Sequence, residues 1–154
     1  MHKLPSPDLK WPIILDGVAL IAESENCFLK TYRCPAGVPT IGWGETQGVV
    51  MGMEWTQEQA DQKFCDSLTA SATEVLAALT VAPSEHELAA LTSFAYNCRG
   101  WKKSSVIKAH NRGDRTAAAN ALLLWDKATI GGVLTVLNGL TVRRHREAAM
   151  YLTH

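Results

Sequence analysis

Between Phe28 and Val50 the chain carries the β-formers Thr31, Tyr32, Thr40, Ile41 and Trp43, interrupted by Pro35, Gly37, Pro39, Gly42, Gly44 and Gly48. Strand residues broken every few positions by residues that turn or stop a strand allow a small sheet with tight turns, and exclude a long helix. Helical patterning stands on both sides. Pro12 opens a predicted helix over 13–25, with Ile14, Val18 and Ile21 at helical spacing. Downstream, Thr56 with Gln59 and Ser84 with Glu87 form capping boxes. Each precedes an amphipathic run, carrying Ala60, Phe64 and Leu68 in the first and Leu88, Leu91 and Phe94 in the second. Shorter helices are expected over 104–111 and 114–127, separated by Gly113. Gly131-Gly132 and Asn138-Gly139 read as a flexible connection, and Val142, Ala149 and Leu152 line one face of a last helix. Everything after the sheet segment reads as helical. The expectation is an α+β, mostly helical chain forming a single domain over 1–154. A small antiparallel β lobe (about 27–52) and a larger helical lobe (about 56–154, with helix 13–25) flank a cleft, where a ligand site is expected.

Composition narrows the class. A chain of 154 residues that is 47% hydrophobic and 19% charged is long and apolar enough for one core and excludes disordered or fibrous classes. The four cysteines, at 27, 34, 65 and 98, are too few and too scattered for a disulfide scaffold or a zinc site. The net charge of zero conceals an asymmetry. Residues 97–154 hold ten basic against three acidic side chains, and residues 1–96 five against twelve, so the two parts carry +7 and −7. A basic half favours an anionic polymer or surface as partner, or serves only to keep helices soluble. The longest apolar run, Ile13 to Ala22, contains Asp16 and is half the length of a membrane span. Pro5, Asp8 and Pro12 interrupt any secretion signal, so the chain is expected to be made and held in the cytoplasm until another agent releases it.

Glu25 stands at the end of the first predicted helix, at the lobe junction. A carboxyl desolvated there has the setting a general acid requires. Cys34 follows nine residues on and Thr40 six further, immediately before Ile41-Gly42-Trp43-Gly44. By spacing alone these are also ordinary surface, core and strand residues. The string Glu25-x-Cys27-x-Leu29-Lys30-x-Tyr32-Arg33-Cys34-Pro35-Ala36-Gly37-Val38-x-Thr40-Ile41-Gly42-Trp43-Gly44 closely resembles the active-site region of phage-type lysozymes, glycoside hydrolase family 24. That family's pattern is Glu, eight residues, Asp or Cys, five residues, Thr, and Glu25, Cys34 and Thr40 fit it without a gap. Phe94 to Asn97, Ser104-Ser105 and the arginine-rich run Arg143 to Ala148 are similar to further family segments, so the resemblance covers about 13–152.

The resemblance implies a lysozyme-like fold and a muramidase that cleaves the β-1,4 bond between N-acetylmuramic acid and N-acetylglucosamine in peptidoglycan, lysing a bacterial host. It implies Glu25 as proton donor to the leaving oxygen, with Cys34 and Thr40 placing a water on the opposite face of the sugar. A neutral thiol is a poor base, which leaves Cys34 between a water-positioning and a nucleophilic role. Arg143 is the implied ion-pair partner of the catalytic Glu. Tyr96, Asn97 and Ser105 are candidate sugar contacts. The five tryptophans also suit sugar stacking, although most are expected in the core. No cofactor or metal is implied. Three positions depart from the family pattern: Asn26 replaces a glycine, Glu45 a histidine and Arg99 a glycine. Asn26 still tolerates positive φ.

The expected partners are peptidoglycan as substrate, a holin-like permeabilising protein for release to the periplasm, and anionic wall or membrane by electrostatic contact. A monomer that binds no nucleic acid is expected. The alternatives are a lytic transglycosylase acting on the same bond without water, and a non-catalytic peptidoglycan-binding domain of the same fold. A DNA-binding helical domain using Arg143 to Arg146 is the most distant, and predicts strongly salt-dependent affinity.

Overall fold

The computed structural model describes residues 4–154. Helix α1 spans Leu15–Glu25, with Ile14 at its N-cap and Val18 and Ile21 buried. Strands β1 (Phe28–Arg33) and β2 (Pro39–Gly42) pair antiparallel, Tyr32 opposite Thr40 and Arg33 opposite Pro39. The predicted sheet is shorter than its Gly- and Pro-rich segment. Beyond β2 the chain loops back through isolated bridges between Ile41 and Glu45 and between Lys30 and Glu54.

Both predicted capping boxes form. Thr56 caps α2 (Gln57–Ala78) and Ser84 caps α3 (Glu85–Asn97), each accepting from the backbone N–H three residues on. In each, the Gln59 or Glu87 side chain accepts in return from the cap's own N–H. A 3-10 turn (Trp101–Lys103) leads to α4 (Ser105–Asn111) and α5 (Arg115–Leu122). Two clusters form the core. Val18, Ile21, Trp43, Phe64 and Leu68 pack α1 and the turn after β2 against α2, while Leu91, Phe94, Val106, Leu122 and Tyr151 fill the space among α3 to α6. Helix α3 contributes to both, through Ala89 to the first and Leu91 and Phe94 to the second.

Three expectations fail. Helix α5 stops at Leu122 instead of continuing to Lys127, and an antiparallel hairpin follows, β3 (Lys127–Ile130) and β4 (Val133–Val136). Gly131 and Gly132 form its two-residue turn with positive φ values of 57° and 81°, the mirror-image turn geometry that matches strand twist. Asn138-Gly139 is no connection; it begins α6 (Asn138–Leu152). Finally, Val142 and Leu152 are 51% and 42% exposed and Ala149 also faces solvent, while α6 buries Arg143, Arg144, Glu147 and Tyr151. The apolar stripe faces water because the charged side chains on the other face have buried partners.

Candidate active site

Helix α1 ends at Glu25, and the next residue, Asn26, takes φ 60° and ψ 166° while its N–H donates to the Ala22 carbonyl at 2.8 Å. This reversal turns the chain into β1 and leaves the Glu25 carboxyl at the junction of the lobes. A cleft of about 690 Å³ lies there, and Glu25, Cys34, Thr40, Tyr96, Asn97 and Arg143 all line it. Six of the seven residues singled out from the sequence thus meet in one cavity, although they span more than a hundred positions. Ser105 does not. It sits exposed on the first turn of α4, away from the cleft, because the buried partner there is Ser104, which caps α4.

Two contacts position Glu25. Arg143 Nη1 donates to Oε1 at 2.6 Å. On the other side, a Cβ on Gly44 would stand 2.5 Å from Oε2, and Gly44 has φ 87°, so only glycine admits the carboxylate this closely. Arg143 is itself held by buried groups. Its Nη2 donates to the Ser93 carbonyl at 3.1 Å and its Nε lies 3.4 Å from both Ser93 Oγ and Glu147 Oε2. Burial opposes the Arg143 charge, but the carboxylates of Glu25 and Glu147 outweigh it and raise its pKa. Glu147 also meets Arg144, whose Nη2 donates to Oε2 at 2.9 Å; Nε and Oε1 approach to 2.7 Å without hydrogen-bond alignment. Arg144 Nη1 in turn points to Cys98 Sγ at 2.8 Å. Arg143 and Arg144 of the last helix are therefore a buried ionic scaffold behind the Glu25 carboxyl, while Arg146 pairs with Glu23 at the surface. Ser93 and Glu147, which complete it, were not singled out from the sequence; the spacing of Arg143 and Glu147, one helical turn apart, was the available signal.

Thr40 is buried in the opposite wall, and its hydroxyl donates to the Val38 carbonyl at 2.9 Å, leaving its lone pairs to accept from a water. Cys34 starts the β1–β2 turn, where its N–H donates to Val38 O at 3.0 Å and its carbonyl accepts from Gly37 N at 2.7 Å. Its thiol is half-buried and free. Tyr96 borders the cleft but turns its hydroxyl inward, donating to the Trp43 carbonyl at 2.8 Å, 3.4 Å from Glu45 Oε1. Burial, with the carboxylates of Glu45 and Glu25 nearby, pushes the Tyr96 phenol well above its ordinary pKa. It acts as a tie between α3 and the β lobe more than as a free sugar contact. Asn97, exposed at the end of α3, remains open to a ligand. Among the described residues no group of His, Cys, Asp and Glu side chains is placed to hold a metal ion.

Comparison with known proteins shows the family and the fold. The chain is 38% identical over 134 residues to a SAR-endolysin of Pseudomonas phage phiKMV, covering 86% of this chain and 82% of that one. It is 31% identical over 137 residues to an endolysin of Acyrthosiphon pisum secondary endosymbiont phage 1, covering 88% and 94%. Among solved structures, an endolysin from Escherichia coli O157:H7 phage FAHEc1 superposes with a TM-score of 0.83 at 34% identity, over 94% of this chain and 95% of that one. Residues 22–147 match the profile of the family described as phage lysozyme, and the chain belongs to that family.

Proposed function

We propose that the chain is an endolysin, a muramidase that hydrolyses the β-1,4 bond between N-acetylmuramic acid and N-acetylglucosamine in peptidoglycan and so lyses the host cell. The observation that carries the residue roles is the fixed Glu25 carboxyl in an interlobe cleft, clamped between Arg143 and Gly44. Glu25 gives its proton to the glycosidic oxygen as the bond from that oxygen to the anomeric carbon breaks. A water held by Thr40, with Cys34 beside it, adds its oxygen to the anomeric carbon and passes its surplus proton to bulk water in the open cleft, leaving the new hydroxyl on that carbon. Attack on the face opposite the leaving group inverts the anomeric centre. The Cys34 thiol, a weak donor and weak acceptor, orients that water without serving as a carboxylate would.

In the proposed route the protein acts as a monomer and reaches the wall after a holin-like protein opens the membrane. No helix among the described residues is long and apolar enough to cross one.

The test is clearing of outer-membrane-stripped Gram-negative cells by wild type beside Glu25→Gln, with mass analysis of the released muropeptides. Wild type is expected to lyse the cells and leave reducing muramic-acid ends, and Glu25→Gln to bind the wall with turnover reduced at least about a hundredfold. Anhydro ends would instead indicate a transglycosylase. Binding without turnover by both proteins would leave a non-catalytic wall-binding domain.

A further inference from the structure

The hydrolytic route uses Thr40 and Cys34 of the cleft wall and leaves a third polar group of that wall idle, the Tyr32 phenol. Tyr32 stands directly opposite Thr40 in the antiparallel β1–β2 pair. Side chains of directly paired residues leave a sheet on the same face, with Cβ atoms about 5 Å apart. Cys34, two positions after Tyr32, falls on that face as well, by the alternation of an extended chain. All three line the cleft that holds Glu25.

Contacts fix the Tyr32 ring and leave its oxygen open. The ring packs on that of Phe28, with centroids 4.1 Å apart. Tyr32 is half-buried, and among the described residues its hydroxyl has no hydrogen-bond partner. Burial, with Glu25 and Cys34 nearby, raises its pKa above the ordinary phenol value, so it keeps its proton at neutral pH. A neutral phenol is both donor and acceptor. Thr40 is more restricted: its one proton goes to the Val38 carbonyl, so towards a water it can only accept. A single acceptor fixes one hydrogen of a water and lets the molecule swing about that bond. A second acceptor, on the same sheet face and one strand away, stops the swing.

We propose that Tyr32 is a further catalytic residue, whose phenol oxygen accepts one hydrogen of the attacking water while Thr40 accepts the other, so that the water presents a free lone pair to the anomeric carbon. The inference rests on the muramidase reading and deepens it by naming the group that completes the orientation of the water. As the carbon–oxygen bond forms, the surplus proton leaves for bulk water and the phenol is unchanged. The hydrogens of the water become more acidic as its oxygen donates electrons, so the contact with Tyr32 is stronger in the transition state than in the ground state. It therefore acts on kcat and not on KM.

The experiment measures kcat and KM, by release of reducing ends from peptidoglycan, for wild type, Tyr32→Phe, Thr40→Val and the double variant. Phenylalanine keeps the ring and its packing on Phe28 and removes only the oxygen. Tyr32→Phe is expected to lower kcat about tenfold, with KM and the denaturant midpoint of unfolding unchanged. In the Thr40→Val background, where the water has already lost its other holder, the same substitution is expected to cost less than about threefold. An unchanged kcat in Tyr32→Phe, a loss confined to KM, or losses that multiply in the double variant overturns the proposal. The Tyr32→Phe arm decides by itself if Thr40→Val does not fold. If wild type releases no reducing ends, it is the muramidase reading that fails, and this assignment with it.

Discussion

Asn26 occupies a backbone conformation, φ 60° and ψ 166°, that is populated almost only by glycine. It sits next to the proposed acid and turns the chain from α1 into β1, so the fold cannot relax it without moving Glu25. The strain costs on the order of 1–3 kcal/mol, against at most about 1 kcal/mol of extra chain entropy that glycine would lose on folding. Asn26→Gly is therefore expected to raise the free energy of unfolding by about 1 kcal/mol while leaving the Ala22 carbonyl contact in place, as measured by denaturant titration. Gly44, on the other side of Glu25, shows the complementary constraint, since any side chain there would collide with the carboxylate.

Helix α6 inverts the usual amphipathic logic. Its solvent side carries Val142, Ala149 and Leu152, and its inward side carries Arg143, Arg144 and Glu147, the last two fully buried. Buried ions persist only where partners replace water. Here Ser93 Oγ donates to Glu147 at 2.5 Å, the two guanidinium groups flank that carboxylate, and the Arg144 guanidinium lies over the Phe94 ring at 5.4 Å. Glu147→Gln leaves two buried cations short of a counter-charge and is expected to destabilise by about 3–5 kcal/mol. Val142→Lys, on the exposed face, is expected to change stability by less than about 0.5 kcal/mol. Chemical denaturation of both variants checks the assignment, because a helix packed through its apolar stripe would show the reverse order.

At the scale of the molecule, Arg143 holds Glu25 at the lobe junction, and Tyr96 ties α3 to the β lobe through the Trp43 carbonyl. Glu45 lies buried beside the second tie. Burial pushes its pKa above the ordinary carboxylate value, with Glu25 adding to the rise and contacts from Ser67, Lys63 and Tyr96 opposing it. The Tyr96 hydroxyl donates to the Trp43 carbonyl at 2.8 Å and reaches Glu45 Oε1 only at 3.4 Å, a long contact that favours the ionised carboxylate less than burial opposes it. A folded-state pKa above the unfolded one means that the Glu45 contribution is fully present below the unfolded value. It is lost as pH rises through the raised folded value. Glu45→Gln, a permanent mimic of the protonated form, is expected to gain thermal stability relative to wild type between about pH 4.5 and pH 7, and to match it at lower pH. Melting curves across that range provide the check. Glu87 shifts the opposite way, since the Ser84 backbone and Arg115 outweigh its burial. It is unchanged between the two proteins and drops out of the comparison.

The local features were legible in the sequence because each rests on neighbours along the chain. Both capping boxes, the helix before Glu25, the broken strand segment and the Glu25, Cys34, Thr40 spacing are short-range patterns, and they recur in the structure within a residue or two at most ends. The β3–β4 hairpin was within reach of the same reasoning, since a Gly-Gly pair between two runs of β-formers is a hairpin signal, but the helical segments around it dominated the reading. Tertiary structure alone decided which face of α6 is buried. Polarity along the helix points one way, and only the arrival of Ser93 and Glu25 from distant positions makes the charged face the inner one. The same holds for Ser105, displaced from the cleft by the direction of α4, and for the cleft itself, whose walls come from four separate segments. Sequence determines what a segment can become. The partners that meet it in three dimensions determine which of its side chains are desolvated, and that in turn sets where the chemistry can occur.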